Sequence, residues 1–177
     1  MKLIHYSHKI IPSPDDRSYE QDYRHMGDKP NGLWVSEEEL DPTCNWKVWC
    51  EGEMYNLEGL KYSHEVVLKD SANILHIKSS EELFNFTRMY PKKLSGWDAE
   101  YDTYQLDWGL VKLQYQGIII SPYQWDCRLS MKSDWYYGWD CASGCIWDLS
   151  CIESFKFIRN YRGFSSVEEH WVCNLKM

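Results

Sequence analysis

The sequence predicts an α+β domain. Three observations carry this. Apolar and polar residues alternate over residues 2–7, 62–68 and 154–159, the period of half-buried strands. Large side chains fall at helical spacing after Pro42 and again after Ser80. Ile118-Ile119-Ile120, halted by Pro122, reads as a short buried strand.

The elements follow in chain order. Residues 2–7 form a first strand. Residues 11–31 are a polar loop with Pro12, Pro14, Gly27 and Pro30, long enough to act as a lid. Residues 32–36 form a second short strand. Ser36-Glu37-Glu38-Glu39 has the capping-box pattern, and Pro42 offers a second helix start. Trp46, Trp49, Cys50, Met54 and Leu57 then place a helix over 42–57. Strands follow at 62–68 and 73–77. Ser80-Glu81-Glu82-Leu83 opens a helix that stops near Pro91. Residues 94–103 are a polar loop. Asp107 caps a short helix through Tyr115 that ends at Gly117. The strand 118–120 comes next, then a loop or hairpin over 123–138. Strands at 145–147 and 154–159 complete the set. There is no internal repeat and no low-complexity segment.

The length of 177 residues fits one domain over 1–177, with a core that needs no staples. Hydrophobic content of 44% excludes a disordered chain. Ten Trp and thirteen Tyr are enough both to build a core and to line a cleft for a flat ligand. A formal net charge of −8 argues against non-specific nucleic-acid binding. The short basic candidates, Lys92-Lys93 and Arg159 with Arg162, read as solvated surface. Residues 1–5 lack the apolar stretch of a secretory signal, and no run reaches the ~18 apolar residues of a membrane span. The seven cysteines then read as reduced thiols in a cytoplasmic protein.

Three other chemistries lack their full sequence pattern. Cys141, Cys145 and Cys151, with His5, His8, His25 and His64, invite zinc, but there is no tight Cys-x₂-Cys pair and no second matching pair. A nucleophilic Cys141 or Cys145 would need a histidine that meets it only in space. No G-x-G-x-x-G or Walker motif supplies a phosphate loop.

The most informative stretch is Trp139-Asp140-Cys141-Ala142-Ser143-Gly144-Cys145-Ile146-Trp147, which joins an acid, two thiols, a small-residue loop and two indoles. His5-Tyr6-Ser7 on the first strand and Gly32-Leu33-Trp34-Val35-Ser36 on the second complete a set. Together these segments resemble the ADP-ribosyltransferase fold, in its His-Tyr-Glu branch, shared by poly(ADP-ribose) polymerases and RNA 2′-phosphotransferases. Gly117-Ile118-Ile119-Ile120 and Asp140 through Asp148 are also similar to small phage anti-CRISPR members. The resemblance covers the order of elements over most of the chain, with few matching residues.

The resemblance implies a split β-sheet with a few flanking helices and NAD in the cleft between its halves. The aromatic loops 19–31 and 123–137 would border that cleft. His5 would bond the adenosine ribose, Ser7 would face the nicotinamide amide beside Tyr6, and Trp34, with Ser36 closing its strand, would stack on nicotinamide. Asp140 would be the catalytic acid, with Asp148, Asp134 and Asp126 as alternatives. Two departures stand out: Trp34 replaces the usual Tyr, and no Glu precedes the last motif strand. The implied activity is transfer of ADP-ribose from NAD to an unknown acceptor, protein or small molecule before nucleic acid, as in a phage effector or toxin. An NAD glycohydrolase, or a non-catalytic aromatic-rich protein-binding module, are the alternatives. Singly, each residue has a structural use: His5 and Trp34 as core, Ser36 as a cap, Asp140 in a turn.

Overall fold

The computed structural model describes residues 1–14, 17–21, 29–92 and 105–160. It is a mixed α+β structure on one seven-stranded sheet. The strands are β1 (Leu3–Ser7), β2 (Leu33–Glu37), β3 (Tyr62–Leu68), β4 (Ile74–Ile77), β5 (Gly117–Ile120), β6 (Ser143–Ile146) and β7 (Ile152–Asn160). Their order is β4-β5-β6-β2-β1-β3-β7. Only β4 and β5 pair in parallel; the other ladders are antiparallel. The parallel pair is joined by a crossover carrying α2 (Ser80–Met89) and α3 (Trp108–Lys112), because a hairpin cannot return a strand in the same direction. The expected loop at 94–103 and residues Lys93 and Arg162 lie outside the described residues.

Both faces of the sheet centre are covered, which explains why β5 is apolar at successive positions. Ile118 and Ile120 join a cluster with Leu83 and Phe86 of α2, Val111 of α3, and Trp135, Trp139 and Trp147. Ile119 points the other way, to Leu3, Leu33, Val35, Val66 and Ile146. This is the period-2 alternation of a strand buried on two sides.

Glycine matters most at Gly144, between β5 and β2. A Cβ there would meet the Ile118 carbonyl oxygen at 2.7 Å and Ile119 Cγ1 at 2.7 Å. Gly144→Ala is therefore expected to destabilise by about 1–3 kcal/mol through overpacking, read as a lower urea midpoint at unchanged m-value.

Local rules account for the helix boundaries, and for two corrections. Ser79 caps α2 by accepting from the Glu82 N–H at 3.2 Å, while Glu82 Oε2 accepts from the Lys78 N–H at 2.6 Å. Asp107 caps α3 through the Leu110 N–H at 3.0 Å. The helix expected over 42–57 is shorter: α1 spans Trp46–Gly52, with Asn45 Oδ1 accepting from the Val48 N–H. It cannot continue because Met54 and Asn56 adopt left-handed φ of 52° and 46°, and a separate 3₁₀ turn follows at Leu57–Leu60.

The capping box expected at 36–39 does not form. Ser36 and Glu37 belong to β2, and Ser36 Oγ instead accepts from the Trp46 N–H at 3.1 Å, at the start of α1. Trp147 likewise falls just past β6 rather than within it.

Candidate functional site

The β1–β2 ladder is short. Its register covers only Leu3 with Glu37 and Ile4 with Ser36, whereas β1–β3 is paired from Leu3 to Ser7. Beyond Ile4 the two central strands part, and backbone groups there need other partners. One is supplied by a side chain: His5 Nδ1 lies 2.8 Å from the Trp34 carbonyl oxygen. A carbonyl only accepts, so Nδ1 carries the proton and Nε2 is left as an acceptor. Burial holds the His5 pKa below its ordinary value, against the opposing effect of the Trp34 carbonyl, so the ring is neutral at pH 7.

A cavity of about 340 Å³ opens at this parting. It is lined by His5, Tyr6 and Ser7 from β1, Trp34 and Ser36 from β2, and Asp140 just before β6. The sequence places these residues in three remote segments; strand order brings them together, since β1, β2 and β6 are consecutive neighbours.

Their chemical states differ. The Tyr6 phenol donates to Glu38 Oε1; burial first, then that carboxylate, push its pKa well above the ordinary range, so it stays protonated. The Ser7 hydroxyl donates to the Lys9 carbonyl at 2.6 Å, which leaves it acceptor capacity only. Ser36 Oγ accepts from Trp46, which leaves its proton available to a ligand. Asp140 Oδ1 is 3.7 Å from Arg128 Nη2, a partly exposed ion pair that orients the carboxylate at the cavity edge.

The alternative acids lie elsewhere. Asp148 sits at the far end of β6, where it accepts from Gln116 Nε2 at 2.8 Å and from the Ser150 N–H at 3.1 Å. Asp126 and Asp134 do not line the cavity.

The surroundings of Cys141 and Cys145 disfavour the thiolate. Burial pushes both Cys141 and Cys145 well above the ordinary thiol range, although Cys141 lines the cavity. Among the described residues no group of His, Cys, Asp and Glu is arranged to hold a metal ion.

The expectation for the loop 123–137 is corrected. None of its residues lines the cavity; Tyr123, Trp135 and Tyr136 are buried in the core instead. Trp135 packs on Phe86 and Trp108, Tyr136 on Trp139, and Tyr123 on Tyr136, which removes more apolar surface from water than a cleft wall would. From the loop 19–31, Lys29 reaches the cavity.

The lining residues that sequence reasoning missed include Lys29, Trp46, Asn56 and Gly59. Lys29 had no signal in a polar loop. Trp46 was read as the apolar face of a helix, yet it borders the cavity. Asn56 and Gly59 meet at the rim, where a Cβ on Gly59 would strike the Asn56 amide at 2.4 Å. The left-handed φ of Asn56 is the one feature a turn-oriented reading could have caught.

Comparisons of the chain with protein-family models, with curated proteins and with solved structures find no match. No helix among the described residues is long and apolar enough to cross a membrane.

Proposed function

We propose that the chain is an NAD-dependent ADP-ribosyltransferase on the split-sheet plan its motifs resemble, releasing nicotinamide and passing ADP-ribose to an acceptor. One observation carries the reading. His5, Tyr6, Ser7, Trp34, Ser36 and Asp140, named from three separate segments, line one cavity, and it opens where β1 and β2 part. The volume is at the small end of ligand pockets, enough for one nucleoside-sized half of a dinucleotide.

NAD supplies a cationic nicotinamide leaving group and the ribose carbon from which it departs. The chain's residues then have separable tasks. Trp34 presents an indole to a flat ring. His5 Nε2 accepts from a ribose hydroxyl, held in place by the bond from Nδ1–H to Trp34. Asp140 stabilises the positive charge that grows on the ribose as nicotinamide leaves, the kind of electrostatic assistance that is usually the largest catalytic contribution. Arg128 positions Asp140 through its ion pair. A net charge of −8 favours a protein or small-molecule acceptor over a nucleic acid, and a cytoplasmic setting supplies NAD. A role as a phage effector or toxin follows from the resemblance alone.

The test is nicotinamide release from NAD by the purified protein, with and without cell lysate as acceptor source. Asp140→Ala is expected to lower the rate about 10²–10³-fold. His5→Ala is expected to lower kcat/KM about tenfold by losing one buried hydrogen bond. Release without lysate would turn the reading to an NAD glycohydrolase. No release and no NAD binding under any condition would sink the enzyme and leave the non-catalytic binding module.

A further inference from the structure

Trp34 has a cation for a neighbour inside the cavity. Lys29 Nζ lies over the Trp34 ring, 5.2 Å from its centroid, while Trp139 packs at 4.8 Å and a 60° tilt. The lysine stem runs past Gly138: a Cβ there would meet Lys29 Cε at 3.2 Å, with Cγ and Cδ within 4.0 Å. No ion pair with a described carboxylate holds the ammonium. Lys29 is exposed and lines the same cavity as Asp140.

An ammonium over an indole and a flat cationic ring stacked on it compete for one site, the negative face of the ring quadrupole. Like charge adds repulsion if both stay. A lysine is a mobile point charge with three donors, and its other natural partner is phosphate.

We propose that Lys29 is a displaceable ammonium cap on Trp34 that makes the cavity selective for flat cationic rings carrying a phosphate. This rests on reading Trp34 as the residue that stacks on the ligand ring. A phosphorylated ring cation takes the indole face and gives the displaced ammonium a phosphate to bind. A ring cation without phosphate must displace Lys29 with nothing in return. Within the proposed reaction, Lys29 is then the residue that separates the phosphorylated pyridine nucleotide from its unphosphorylated analogues.

The experiment is calorimetric titration at low ionic strength of the full chain, Lys29→Met and Lys29→Arg, with two probes: 1-methylnicotinamide and nicotinamide mononucleotide. Lys29→Met is expected to bind 1-methylnicotinamide about two- to five-fold tighter, since the cap is gone. The same variant is expected to bind nicotinamide mononucleotide about tenfold more weakly, since the charge-assisted bond is gone. Lys29→Arg should keep the preference for the phosphorylated probe. An unchanged melting temperature shows that the variants fold.

Affinities that move in the same direction for both probes, or do not move, would overturn the proposal, as would the absence of binding by either probe. The nicotinamide-release assay separates this from the transferase reading. Opposite shifts without release would leave the Lys29 assignment standing and remove the transferase. Release with no opposite shifts would do the reverse.

Discussion

Trp135→Ala is expected to destabilise the protein by about 3–5 kcal/mol, the range for truncating a buried large aromatic. Trp135 is fully buried, at 0% exposure. Its ring meets Phe86 at 5.8 Å, Trp108 at 5.6 Å and Trp139 at 6.1 Å, all edge-on. This geometry sets the positive edge of one ring against the negative face of the next. Its Nε1–H donates to Thr87 Oγ1 at 2.9 Å, tying the 3₁₀ segment Met131–Gly138 to α2. For a chain of this size the melting temperature should fall by roughly 10 °C. Trp135→Phe keeps most of the apolar area but loses the donor, so it should fall between the two. The consequence reaches the cavity, because Trp139 lies between Trp135 and Trp34. A melting temperature for Trp135→Ala within 2 °C of the parent would contradict a close-packed aromatic core.

Glu37→Ala is expected to cost about 3 kcal/mol or more, for a different reason. The carboxylate is fully buried, with 0% exposure, and sits at the end of β2 beside the cavity residue Ser36. It accepts from the backbone N–H groups of Glu39 at 2.9 Å, Leu40 at 2.9 Å and Asp41 at 3.2 Å, and from Ser121 Oγ at 2.9 Å. Alanine would leave these four donors without their acceptor, the Ser121 hydroxyl in a buried place, and hydrogen bonds to a charged group are the stronger kind. Glu37→Gln should lose roughly half as much, because one amide oxygen still accepts while the amide nitrogen faces other donors. The loop it organises also holds Asp41 Oδ2 against the Tyr123 N–H at 3.0 Å, so the damage should spread to the segment after β5. Urea denaturation of the two variants checks the order. Equal stability of Glu37→Ala and the parent would rule out the carboxylate as the anchor of that loop.

Much of the fold was legible because its causes are local. β3 falls at residues 62–68 as expected, although Ser63 and His64 are both buried, where an irregularity in its pairing with β7 breaks the alternation. α2 begins at Ser80 as read from the sequence, with Ser79 as its cap, and Asp107 caps α3. The errors arose where a local signal had two physical uses. Glu37 in a run of acids reads as the first turn of a helix, but the same carboxylate can gather loop N–H groups, and burial in the fold selects the second use. The spacing that placed a helix out to Leu57 ignores backbone handedness, which Met54 and Asn56 reverse.

By itself the sequence determined the α+β class, most strands, the Asp107 cap, and several of the side chains that meet at the cavity. These depend on residue type and on spacing within one turn or one strand. Only the tertiary structure decided that β1 lies between β2 and β3, that β2 pairs with β6, and hence that His5, Trp34 and Asp140 share a cavity. It also placed Asp140, rather than Asp148, at the cavity, and Lys29 over the Trp34 ring. Strand order and side-chain contact between remote segments are set by how whole faces bury against each other, which no short window of sequence encodes.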